Sequence, residues 1–176
     1  MEAGSNVKAW LEARVQVERT HWQGRSPATP YLSIEDFVLQ HGREYNPAPY
    51  AEKVSSGEMG QCFKNAYQLL ISDEKLRYAE GFAWDVDVLL PLQHAWCVDV
   101  DGNVIDPTWD NGESYYGVVF ELQYVLDVAQ ARRKYGVLDA SEIGFPLVRG
   151  RHKYLGDGKV KYDLQELLKA NQYDEE

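Results

Sequence analysis

Apolar positions along the chain change period twice, and those changes predict the elements. Val7, Trp10, Leu11 and Val15 recur at near-helical spacing behind Ser5, which predicts an amino-terminal helix capped by that serine. Ser33 followed by Glu35 and Asp36 predicts a second helix, carrying Phe37 and Val38 and stopped by Gly42. Gly24, Pro27 and Pro30 make residues 21–32 a loop, and Pro47, Pro49, Gly57 and Gly60 make 43–60 a second, longer one. Long loops in compact domains are often functional. Cys62, Ala66, Leu69 and Leu70 restore the helical period over 61–70.

From there the pattern alternates. Residues 77–84 predict a strand, 94–100 and 103–106 a hairpin around Asp101-Gly102, and 115–120 a further strand. A helix is expected over 122–134, ended by Gly136, and signals then fade until a short helix over 164–168 behind Asp163. Helices at both ends with sequential antiparallel strands between them predict an α+β fold in a single domain spanning 1–176.

Composition narrows the class without naming a function. The 176 residues are 44% hydrophobic and 26% charged, ordinary globular values that exclude low-complexity and collagen-like chains. Eighteen basic against 28 acidic residues give a net charge of −10, a poor match for nucleic acid or an anionic membrane surface. No basic start with an apolar run marks a signal peptide, and the most apolar stretch, 86–92, is broken by Asp87 and Pro91. Two cysteines, Cys62 and Cys97, are too few for a disulfide framework, so a cytoplasmic protein is expected. The first few residues and the tail 174–176 are expected to be unstructured.

Three segments carry chemistry: Gly60-Gln61-Cys62-Phe63, His94-Ala95-Trp96 and Asp106-Pro107-Thr108-Trp109. Cys62 follows a glycine loop and opens a helix, where unpaired N–H groups and the macrodipole favour a thiolate. A neighbouring histidine supplies the proton for a leaving amine, and an acidic residue fixes its tautomer. Each piece alone reads as packing; the three in this order point to a nucleophile, a general base and acid, and an orienting carboxylate.

These segments, with Arg77-Tyr78-Ala79-Glu80-Gly81-Phe82-Ala83 before the histidine, resemble the papain-like core of the transglutaminase-like superfamily, including its small bacterial and viral members. The resemblance covers roughly residues 58–120, leaving 1–50 and 137–176 as additions. It implies a nucleophile helix packed on an antiparallel sheet, with Cys62 as nucleophile, His94 as general base and acid and Asp106 as its orienting partner. It also implies acyl transfer without a metal or cofactor: peptide or amide hydrolysis first, glutamine transamidation or deamidation second. A protein or peptide substrate is implied, and the acidic chain favours a neutral or basic one.

Strand geometry tests the assignment. A two-residue turn at Asp101-Gly102 sets Asp106 opposite Cys97, on the wrong face from His94; a three-residue loop over 101–103 sets it opposite Val98, about 13 Å along the strand from His94. Contact between His94 Nδ1 and Asp106 therefore requires a bulge, strong coiling or a turn nearer Val100, and Asp110 is the geometric runner-up. The Cys62 N–H is the expected first oxyanion donor, with the Gln61 side chain or an indole such as Trp22 as a second. Trp96 and Trp109 are expected as core or cleft wall, and Cys97 as a core thiol on the opposite strand face, which argues against a zinc site. His21, His41, His152 and the run Arg132-Arg133-Lys134 are expected to be solvated, as are Lys64 and Asn65 on the helix; Glu80 is open between cleft and water. A non-catalytic binding module on the same fold is the competing reading, recognisable by residues of 43–60 filling the space above Cys62, and terminal segments closing the cleft are a third.

Overall fold

A computed structural model describes residues 6–22, 28–47, 57–85, 87 and 89–169, and the tail and residues 48–56 of the 43–60 segment lie outside them. Helix α1 (Val7–His21) is capped by Asn6, whose side chain accepts from the Ala9 N–H; Ser5 lies outside the described residues. Its buried stripe is Val7, Leu11 and Val15, each worth about 2 kcal/mol of burial. Helix α2 (Ile34–His41) starts as expected, with Ser33 Oγ accepting from the Asp36 N–H, and ends at Gly42.

The segment after Gly42 corrects the sequence reading. Arg43–Pro47 is a strand, β1, where a loop was expected. Only Tyr45 of its five residues is buried and the fifth is proline, so neither periodicity nor composition marks it. The remaining strands are β2 (Arg77–Asp85), β3 (Leu92–Val98), β4 (Asn103–Ile105) and β5 (Gly112–Phe120). They close with β1 into a barrel in the order β1-β4-β3-β2-β5. Because β1 runs parallel to β4 and antiparallel to β5, the sheet is mixed where an antiparallel one was expected.

Alternation divides the strands between two cores. Tyr45, Ala79, Ala83, Trp96, Val98, Val104, Tyr115 and Val119 pack inside the barrel. Tyr78, Phe82, Ala95, Cys97, Val118 and Phe120 face outward against the helices. Gly117 makes room in the interior: a Cβ there would stand 2.5 Å from the Trp96 ring. Helix α3 (Cys62–Ser72) lies on the outer face of β3, and the Cys97 thiol donates to the Ala66 carbonyl at 3.3 Å. Burial pushes that thiol up to about 12, as suits a core cysteine.

Helix α4 (Leu122–Arg132) ends when Arg133 takes the left-handed conformation (φ 55°), before the expected stop at Gly136. Arg132 is buried, contrary to the solvated face expected: its guanidinium donates to the Gly136 carbonyl at 2.6 Å and to Glu142 at 3.0 Å. Beyond it come a 3₁₀ turn (Ser141–Ile143), a hairpin of β6 (Lys153–Gly156) and β7 (Lys159–Lys161), and α5 (Leu164–Lys169). His152 is buried, not solvated, with Nδ1 hydrogen-bonded to the Tyr124 hydroxyl at 2.7 Å; His41 is half-buried against Tyr31 at 2.6 Å. Glu80 faces neither cleft nor water. It is fully buried and accepts from the Tyr78 hydroxyl and the Val137 and Leu138 N–H groups, tying β2 to the chain after α4. No described helix is long and apolar enough to cross a membrane.

Candidate functional site

One end of the barrel collects the β2–β3 connection, the β4–β5 connection and the amino terminus of α3. Strand register explains how His94 and Asp106 meet there. Cys97 pairs with Ile105 and Val98 with Val104, so the turn centres on Asp101 and the three residues 100–102 form it. Both registers weighed from the sequence are corrected in the direction of a turn nearer Val100. Continued by one residue, this register sets Asp106 opposite Trp96, two positions from His94 and on its face, about 7 Å along the strand. Side chains cover the remaining gap: His94 Nε2 donates to Asp106 Oδ2 at 2.7 Å. The expected nitrogen was Nδ1. With Nε2 engaged, Nδ1 is the ring nitrogen left for Cys62, which lies close enough to help raise the imidazole's pKa.

Asp106 is held from every side. Oδ2 also accepts from the Tyr115 hydroxyl at 2.8 Å, and Oδ1 accepts from the N–H groups of Thr108 (2.8 Å) and Trp109 (3.1 Å). Burial would raise its pKa, but these donors and the His94 charge outweigh burial and hold it below the usual carboxylate range. An ionised carboxylate accepts only, which fixes the proton on His94 Nε2. The same balance acts on the imidazole, whose side chain is 1% exposed. Burial would lower its pKa, yet hydrogen bonds and charge from Asp106 and Cys62 prevail and lift it to about 9. Trp109 stacks on the ring at 3.9 Å and 15°, so its π face also favours the cation.

Cys62 is half-buried in the first turn of α3, behind an N-cap, Gln61, that makes no side-chain cap bond. No acidic residue occupies that turn, so nothing on the helix competes for its amino-terminal N–H groups. Asn65 fixes the turn to the acid-bearing loop: its Nδ2 donates to the Glu58 carbonyl at 2.8 Å and to Thr108 Oγ1 at 3.0 Å. Gly57 N–H adds a bond to the Pro107 carbonyl at 2.6 Å. The buried Asn65 corrects the solvated position expected for it. Its signal was available, because a residue three beyond Cys62 shares that helix face.

The other residues singled out divide cleanly. Gln61 is exposed at the helix start; Trp96 is fully buried inside the barrel behind His94, so it is floor and not an open cleft wall. Trp22 closes the carboxyl end of α1. Asp110 is exposed on the β4–β5 connection and is not the carboxylate on His94. Tyr115, which shares Asp106 with the imidazole, went unnoticed in the sequence because a tyrosine in an alternating strand reads as core. No group of three or more His, Cys, Asp or Glu among the described residues could hold a metal ion.

No family model, curated protein or solved structure matches this chain. The reading of the site rests on its own geometry.

Proposed function

We propose that this protein is a cysteine-dependent acyl-transfer enzyme, an amide or peptide hydrolase, built on a transglutaminase-like core. The observation that carries the reading is one buried imidazole bonded through Nε2 to a four-donor carboxylate and coupled electrostatically to a half-buried thiol in the first turn of α3. A core histidine needs one partner; a proton-transferring one needs a fixed tautomer on one side and a nucleophile on the other. The chain order of cysteine helix, histidine strand and acidic loop supports the family assignment.

In the proposed reaction the Cys62 thiol gives its proton to His94 Nδ1 as its sulfur attacks the substrate carbonyl, forming a C–S bond. The resulting oxyanion is met by the Cys62 N–H. Collapse breaks the C–N bond as His94 Nδ1 gives its proton to the leaving amine, which leaves a thioester. Water then adds to the thioester while His94 takes its proton, and the C–S bond breaks to release acid and thiol. Asp106 accepts no proton; it holds His94 Nε2–H through both stages. The free thiols of Cys62 and Cys97 suit a cytoplasmic setting.

Mass mapping after limited iodoacetamide treatment should place the adduct on Cys62 and leave Cys97 unmodified. Wild type and Cys62→Ala are then compared on a peptide and amide panel, with ammonia and new amino termini both monitored. New termini lost in Cys62→Ala establish hydrolysis of peptide bonds; ammonia alone moves the reading to deamidation or transamidation. An unreactive Cys62 in folded, reduced protein refutes it.

A further inference from the structure

Several apolar side chains are exposed on the segments next to the thiol–imidazole pair, although the chain as a whole is strongly acidic. Leu92 stands two residues from His94 on the same face of β3, at the open end of the strand, and is 46% exposed. Met59 is 75% exposed at the tip of a turn closed by the Gln61 N–H on the Glu58 carbonyl. That turn is pinned next to Asp106 by Gly57 on Pro107 and by Asn65 on Glu58, so Met59 is held beside the site. Trp109, flat against His94, adds a third apolar surface, and Leu89 and Leu90 (92% and 59% exposed) are further exposed apolar side chains on the β2–β3 connection. Single exposed leucines are ordinary; several on the two segments that bracket one nucleophile are not. Besides the buried Asp106, the charged side chains on the β2–β3 and β4–β5 connections are the exposed carboxylates Asp87 and Asp110, which disfavour an acidic group there.

We propose that Met59 and Leu92 form an apolar rim that selects substrates with a bulky aliphatic or aromatic side chain on the acyl side of the attacked bond. The acyl group is the part that stays on Cys62 after the amine has left, so it is the part that must share this rim. This inference rests on the acyl-transfer reading and names its substrate class. The expected charge preference of the acidic chain becomes secondary to size and apolarity.

The test measures acylation of Cys62 by N-acetyl amino-acid p-nitrophenyl esters bearing Ala, Leu, Phe, Lys or Glu side chains. Attack by the thiol forms the thioester and releases p-nitrophenolate, read by colour and by the mass of the acyl-enzyme. Each rate is divided by the iodoacetamide alkylation rate of the same protein, which corrects for thiol reactivity. Wild type should acylate with Leu and Phe about tenfold faster than with Ala, and slowest with Glu. Met59→Ser and Leu92→Ser together should bring the Leu-to-Ala ratio close to one. A flat or charge-led profile in wild type, or an unchanged ratio in the double variant, overturns the rim while leaving the acyl-enzyme in place. Alkylation at Cys62 with no acyl-enzyme from any ester overturns the acyl-transfer reading itself, and the rim with it.

Discussion

Replacing Asp106 by Asn removes one charge and reverses one hydrogen-bond polarity at the centre of the site. In the native arrangement Oδ2 accepts from both His94 Nε2 and the Tyr115 hydroxyl, while Oδ1 takes two backbone N–H groups. If the asparagine oxygen keeps the backbone donors, its NH₂ faces two donors, and His94 must move its proton to Nδ1 to accept. That tautomer points a proton at Cys62 and cannot take one from it. The pKa of His94, about 9 against an ordinary 6.5, corresponds to about 3 kcal/mol of preference for the cation, net of burial that opposes it. Without the carboxylate, burial should dominate and bring the imidazole to 6.5 or below.

The assay is ¹⁵N NMR of the His94 ring across pH. Wild type should keep both ring nitrogens protonated up to about pH 9, and Asp106→Asn should show a neutral imidazole at pH 7. Because the native state holds this proton more tightly than the unfolded chain, its stabilising contribution is complete below about pH 6.5 and is lost as pH rises through about 9. Urea midpoints in that window should therefore fall in wild type and stay flat in the variant. The acylation rate should drop by about 10⁴. A wild-type His94 titrating near 6.5, or a variant still titrating near 9, refutes the reasoning.

Three further outcomes follow from neighbouring contacts. Gly112→Ala should displace the Tyr115 hydroxyl, which a Cβ at that position would overlap, and lower the His94 pKa by a fraction of the Asp106→Asn effect without unfolding the barrel; NMR and circular dichroism together check it. Asn65→Ala should cost about 1–3 kcal/mol by leaving Thr108 Oγ1 and the Glu58 carbonyl without their donor, and should slow Cys62 acylation more than alkylation. His152, held neutral mainly by burial with a pKa lowered to about 4, contributes stability above about pH 6.5 that is lost as pH falls toward 4; His152→Phe should flatten that acid limb, worth about 1–2 kcal/mol, in urea titrations.

What the sequence made legible was whatever local chemistry decides. Ser33 with its acidic first turn started α2 where the capping rule put it, and Cys62 opened α3 because a glycine loop meets a helical period there. Strand β1 was illegible for the opposite reason. A five-residue strand with one buried side chain exists because β4 and β5 offer it partners, and those partners lie 57 to 74 residues away in the chain. The burial of His152 and Glu80 was hidden in the same way, since each is held by partners from distant segments, whereas Arg132 is satisfied by Gly136 and Glu142 just beyond its own helix.

The His94–Asp106 contact lies between these cases. Residue types and order suggested it, yet both registers counted from Asp101-Gly102 disfavoured it, because a hairpin's register depends on which residues the turn consumes. Asp99 decides that. Its carboxylate accepts from the N–H groups of Asp101 and Asn103 and from the Asn103 side chain, closing the turn over residues 100–102. A single aspartate at the far end of the hairpin thus sets the register that brings Asp106 to His94. Asp99→Ala should therefore disturb the His94 titration from the opposite end of β3, where a purely local view of the site predicts no effect. The same NMR experiment distinguishes the two, and an unshifted His94 in a folded Asp99→Ala protein would show that the loop after Asp106, and not the turn, holds the carboxylate in place.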